Sequence, residues 1–218
     1  MNRQPSTVLY LHGFASSPAS GKITALRPLL SPRGVELDTP DLNVPTFEEL
    51  DWDAVVGRAL DHARRTPPAA IAASSMGALI ALTLVVERGL RMPLVLIAPA
   101  FGVARRWKPR LPDDDQPLRV FNHARNAEAT IHRRFFDQML EIEPERRPPP
   151  VRTTILMGRN DETVSFEGVE EVWQRWEGEG VVPGSKFVEL PEGDHGLVDY
   201  APLIAEEIEG AAHDRHHA

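Results

Sequence analysis

The chain has 218 residues, 42% of them hydrophobic, which suits a single α/β domain built around a sizeable core. A formal net charge of −8 and a pI near 5.5 argue against nucleic acid or an anionic membrane as the main partner. With no cysteine there can be no disulfide and no cysteine nucleophile; this suits a reducing compartment. The apolar run ahead of His12 is too short for a signal peptide, so a cytoplasmic protein is expected.

In chain order, residues 7–11 (TVLYL) read as a first buried strand, broken at once by His12-Gly13-Phe14. A polar loop follows, then a helix from Ser20 to Leu30 with Ile23, Leu26, Leu29 and Leu30 on one face. Residues 35–38 (VELD) form a short second strand, and residues 52–63 a helix carrying Val55, Val56, Ala59 and Leu60 inward. The uncharged stretch 69–86 is long enough to raise the question of a membrane span, for which about 18 apolar residues is the usual threshold. Ser74, Ser75 and Gly77 in its middle argue instead for a buried strand (69–73), a tight turn (74–76) and a buried helix (77–87). No membrane insertion is expected. Residues 93–98 (PLVLIA) give another strand.

From residue 100 to 150 the strand-helix rhythm stops. Arg105, Arg106, Lys108 and Arg110 are followed by Asp113, Asp114 and Asp115, and one helix is expected over 128–142 on the stripe Ile131, Phe135, Met139, Ile142. This segment reads either as a helical lid-like insertion beside a binding pocket or as a decorated surface crossover. The rhythm resumes with a strand at 153–157, a helix at 166–177, a strand at 186–190 and a closing helix holding Leu203, Ile204 and Ile208. Alternation of this kind predicts an α/β fold: a doubly wound, mostly parallel sheet of about six strands, with right-handed crossovers.

In such sheets ligands bind beyond the carboxyl ends of the strands. His12-Gly13-Phe14, Ser75, Asp161 and His195 all fall there. A strand, a sharp turn with serine at its tip and then a helix make a nucleophile elbow, for which the pattern is G-x-S-x-G. Sterics choose the register. Positions two before and two after the nucleophile must be small; Ser75 places Ala73 and Gly77 there, whereas Ser74 would place Met76. The plainer alternative is a serine capping the helix.

A serine hydroxyl needs an adjacent base, and histidine, with an ordinary pKa near 6.5, is the natural one. A carboxylate behind the imidazole fixes its tautomer. His195 in a Gly-Asp-His-Gly turn is the candidate base and Asp161 the candidate acid. Asp161 could instead cap the helix starting near Ser165; Glu162, Asp194 and Asp199 are weaker rivals. The backbone N–H groups of Met76 and Phe14 are the candidate oxyanion donors. His12 reads as a structural support of the oxyanion turn. His62, His123 and His132 read as surface or lid residues, and His213, His216 and His217 as a solvated tail. No metal-binding spacing appears.

The segments LYLHGFASSPASGK (9–22), ASSMG (73–77), GRNDETV (158–164) and GDHG (193–196) together resemble the α/β-hydrolase superfamily, and within it the small YqiA/YcfP-like esterase branch. HGF followed by SSP is fairly specific to that branch. The resemblance implies one α/β-hydrolase domain over residues 1–218; the break in rhythm makes residues 100–150 the expected cap or lid insertion within it. It implies hydrolysis of carboxylic esters, acyl thioesters among them, through an acyl-serine intermediate and without a cofactor; esters of small to medium acyl groups are the leading expectation, with a small-molecule ester as substrate. On it the nucleophile maps to Ser75, the acid to Asp161 and the base to His195. Ala73 departs from the usual glycine, and the Arg- and Pro-rich segment is longer than in the branch. An acyl-CoA thioesterase or a peptidase would use the same three residues, and a non-catalytic ligand-binding relative is the reading from another class. Neither oligomeric state nor physiological substrate can be read from the sequence.

Overall fold

The computed structural model describes residues 5–111 and 116–214. Its centre is a six-stranded sheet: β1 (Ser6–Leu11), β2 (Val35–Asp38), β3 (Ala70–Ser74), β4 (Leu94–Ile97), then β7 (Thr153–Gly158) and β8 (Lys186–Leu190). The order is β2-β1-β3-β4-β7-β8 and every pairing is parallel. Composition follows position. Of the four interior strands, AIAAS, LVLI and TTILMG are buried at every residue and β1 over its last four, because helices cover both faces and no alternation survives. The edge strands VELD and KFVEL carry charged residues that reach solvent.

Helix α1 (Gly21–Leu30) packs on α7 (Ala201–His213), which lies along β1, β3 and β4. Helix α2 (Trp52–Arg65) packs with α3 (Met76–Leu82) against β1. Helix α6 (Phe166–Glu179) lies along β7, burying Val169, Trp173 and Trp176. Two caps follow ordinary chemistry: Asp51 accepts from the Ala54 N–H, and Ser165 from the Gly168 N–H. Ser20 stands at the start of α1 without a hydroxyl cap. Among the described residues no helix is long and apolar enough to cross a membrane.

Two expectations need correction. The turn in the uncharged stretch is tighter than expected: β3 runs one residue further, to Ser74, Ser75 alone makes the turn, and α3 begins one residue earlier, at Met76, before passing into a π-helical turn over Thr83–Glu87. The helix expected over 128–142 is two elements. Strands β5 (Leu118–Asn122) and β6 (Ala127–Ile131) form an antiparallel hairpin, and α5 (Arg133–Glu141) follows. Ile131 ends the strand and Phe135 opens the helix, so their four-residue spacing mimicked one helical stripe. The segment between β4 and β7 is therefore a short helix α4 (Val103–Trp107), the hairpin and α5, not a purely helical insertion. Asp113, Asp114 and Asp115 lie outside the described residues, as do His216 and His217.

This segment is fastened to the turn after β1 and to the loop before α2. The Ala124 N–H donates to the Ala15 carbonyl (3.1 Å) and the His132 N–H to Glu48 (2.9 Å). Gln138 bridges Asp51 and the Trp52 N–H at 3.0 Å each, and Arg125 pairs with Glu48.

Candidate active site

The chain runs from β1 outward to β2 and then back past β1 to β3, so a crevice opens beyond the carboxyl ends of β1 and β3. Ser75 stands at its floor. Its backbone has φ 54° and ψ −121°, a conformation that side chains other than glycine rarely adopt. The fold holds it there through three backbone bonds: Ser75 N–H to the Ile97 carbonyl (3.0 Å), and the Ser75 carbonyl accepting from Ala78 (3.0 Å) and Ala100 (3.2 Å). Ser75 makes no hydroxyl cap to α3. A Cβ on Gly77 would meet the Leu11 carbonyl oxygen at 2.1 Å, so only glycine lets α3 start this close to β1. Gly13 packs against the serine itself, its Cβ position 3.1 Å from the Ser75 Cβ. The turn after β1, with the Phe14 N–H, thus flanks the serine, while Met76 opens a helix whose first amides have no acceptor within it.

His195 Nε2 lies 3.2 Å from Ser75 Oγ, and its Nδ1 lies 2.8 Å from Asp161 Oδ2. An ionised carboxylate only accepts, so Nδ1 carries the proton and Nε2 is left to accept from the hydroxyl. The Asp161 side chain is fully buried, against 24% exposure for His195. Its other oxygen accepts from the N–H groups of Thr163 (2.9 Å) and Val164 (2.7 Å), and buried Val164 lies under the loop. Capping falls to Ser165, not Asp161. Among the rival acids, Asp194 accepts from the Leu197 N–H (2.7 Å) within its own turn, while Glu162 and Asp199 are exposed.

The loops carrying Asp161 and His195 are held together by glycine. The Asn160 N–H donates to the Gly193 carbonyl at 2.9 Å, and the Arg159 and Gly193 N–H groups both reach Leu190 at 3.0 Å. Lys22, at the start of α1, donates to the His195 carbonyl at 3.3 Å. Burial pulls its ammonium down to about 8, a shift opposed by the Asp161 and Asp194 carboxylates. The sequence signal for Lys22 was faint: it lies in the HGF-SSP stretch and is one of only three lysines among 24 basic residues.

His12 is buried and turned away from Ser75. Its Nε2 accepts from the Leu42 N–H (3.1 Å) and its Nδ1 donates to the Gly13 carbonyl (2.9 Å). Burial pushes its pKa below the ordinary histidine value. It braces the turn that carries Phe14. His62 pairs with Asp38 (3.1 Å), away from the crevice, whereas His123 on the hairpin lines it. Among the described residues no group of three or more His, Cys, Asp or Glu side chains could hold a metal ion.

Over Ser75 and His195 lies a cleft of ≈ 490 Å³, walled largely by Phe14, Trp107, Val120, Phe136 and Met139. Phe14 sits among aromatic rings, 5.9 Å from Trp107 and from Phe136, which themselves stack at 5.1 Å. A wider depression of ≈ 610 Å³ is lined by charges of both signs, including Arg105, Arg175, Glu143 and Glu179, and touches none of Ser75, Asp161 and His195.

The model of the uncharacterised protein family UPF0227 matches residues 7–204, spanning all of these features. The chain belongs to UPF0227. Among solved structures, this UPF0227 member is similar to Est1E from Butyrivibrio proteoclasticus with ferulic acid bound (18% identity, 96% of this chain and 89% of that one, TM-score 0.76). It is also similar to the esterase domain of a Rhodothermus marinus protein (20%, 96% and 88%, TM-score 0.66) and to α/β hydrolase domain-containing protein 10 from mouse (16%, 94% and 88%, TM-score 0.71). At these identities the likeness establishes the α/β-hydrolase fold. No curated protein matches the UPF0227 chain.

Proposed function

We propose that this chain is a serine hydrolase cleaving carboxylic esters of small to medium acyl groups through an acyl-serine intermediate. The observation that carries the reading is the unbroken hydrogen-bond relay Ser75–His195–Asp161 at the mouth of an apolar cleft. In the mechanism Ser75 Oγ attacks the ester carbon while His195 Nε2 takes its proton. The oxyanion so formed is received by the N–H groups of Met76 and Phe14. Collapse breaks the bond to the alkoxy group, which leaves as the alcohol with the proton from the imidazolium. Water, activated by the same nitrogen, then releases the acid and restores the serine. Asp161 holds the tautomer throughout. Residues 100–150 act as a cap within one hydrolase domain, supplying Trp107, Phe136 and the hairpin wall of the acyl site.

The aromatic wall favours planar or aromatic acyl groups, in line with the Est1E structure that holds ferulic acid. A thioester or amide would meet the same relay, so the leaving group is decided by assay. The test is labelling with a fluorophosphonate, followed by turnover of p-nitrophenyl esters of increasing acyl length, a feruloyl ester and an acyl-CoA. Modification of Ser75, and a loss of roughly 10⁶ in turnover in Ser75→Ala with the fold retained, is the expected result. Hydrolysis surviving in Ser75→Ala would end this reading.

A further inference from the structure

The loop that presents His195 has little regular structure to stiffen it. It leaves β8 at Leu190, passes Gly193 and reaches α7 only after a left-handed residue at Leu197 (φ 50°). Its internal bonds are a turn at Gly193, the Asp194 carboxylate on Leu197 and the Glu192 N–H on the Tyr200 hydroxyl. The carbonyl of His195 itself is held from outside, by an ammonium 173 positions away in the chain.

We propose that Lys22 is a positioning residue for the base. Its ammonium bonds the His195 carbonyl and feels the charge of the Asp161 and Asp194 carboxylates, which belong to the two loops that must meet. The proposal rests on the serine-hydrolase reading above and adds to it a residue that touches no reacting atom.

The charge does what a neutral hydrogen-bond donor cannot. The Asp161 and Asp194 carboxylates both act favourably on the Lys22 charge, so the ammonium links the two loops electrostatically as well as through its bond to the His195 carbonyl. These are the charged groups that face it from the β7 and β8 loops. On the elements packed against α1, Arg33 is closed on Glu209 (2.8 Å) and Asp199 is exposed. Holding an ammonium in this partly desolvated place costs stability.

The test is a pH series of kcat and KM on a p-nitrophenyl ester for wild type, Lys22→Met and Lys22→Arg, with melting temperatures and Ser75→Ala run in parallel. In Lys22→Met we expect kcat to fall roughly tenfold to a hundredfold with KM within about twofold. Its melting temperature is expected to stay level or rise, the opposite of what loss of a merely structural contact would do. Wild type is expected to lose activity on the alkaline side near pH 8, where the ammonium discharges. Lys22→Arg, charged throughout, is expected to stay active without that loss.

Lys22→Met with wild-type kcat, or an alkaline loss carried unchanged into Lys22→Arg, overturns the proposal. Should Lys22→Met fail to fold, the comparison of wild type with Lys22→Arg still decides. If Ser75→Ala is inactive while both lysine variants behave as wild type, only the role of Lys22 falls. If Ser75→Ala keeps its activity, the underlying hydrolase reading falls first.

Discussion

Gly158 and Gly193 lie back to back: a Cβ on Gly158 would stand 2.2 Å from the Gly193 carbonyl oxygen, and one on Gly193 2.9 Å from the Gly158 Cα. One glycine ends β7 three residues before Asp161, and the other precedes His195 by two. The distance between carboxylate and imidazole is therefore set by two backbones in direct contact. Gly158→Ala must push the loops apart. We expect a loss of about 1–3 kcal/mol or more in urea unfolding, as for other overpacked sites, and a fall in kcat of roughly tenfold to a hundredfold. Unchanged values of both would mean that the contact sets nothing.

Asp161→Asn keeps an oxygen able to accept from the Thr163 and Val164 N–H groups, so the loop is expected to survive with near-wild-type stability. The amide no longer enforces the imidazole tautomer that leaves Nε2 free to accept. Turnover is expected to fall by roughly 10⁴. Paired melting curves and ester assays check this; a drop below tenfold would point to another acid.

His12 gives the protein a pH-dependent stability. As a neutral ring it accepts at Nε2 and donates at Nδ1, and protonation would abolish the acceptor that Leu42 uses. Burial lowers its folded pKa, so as pH falls past about 6.5 the unfolded chain takes up the proton first. Its contribution is whole above that value and is lost on the way down to the folded pKa, at up to about 1.4 kcal/mol per pH unit. Urea midpoints between pH 7.5 and pH 5 should fall more steeply for wild type than for His12→Asn. Parallel curves would exclude His12 as the source.

The sheet was legible because its strands are short, apolar and separated by clear breaks; residues 35–38 and 186–190 came out with the bounds the structure gives them. The need for a small residue at position 77 was also legible, from a volume argument: a Cβ there would meet the Leu11 carbonyl oxygen. The hairpin was not. Its turn, His123 to Asn126, holds no glycine or proline, and the positive φ it needs is supplied by Asn126 (49°). What brings Lys22 to the His195 carbonyl, or Gly158 to Gly193, is packing between segments far apart in the chain. No local pattern encodes such meetings; only the assembled sheet brings them about.

Among the described residues, strands β5 and β6 pair only with each other. It can therefore be exchanged as a cassette. Grafting a hairpin of another length or lining between Gln116 and His132 would redraw the cleft over Ser75 while leaving Ser75, Asp161 and His195 on their own supports, which makes this ribbon the natural place to engineer new selectivity.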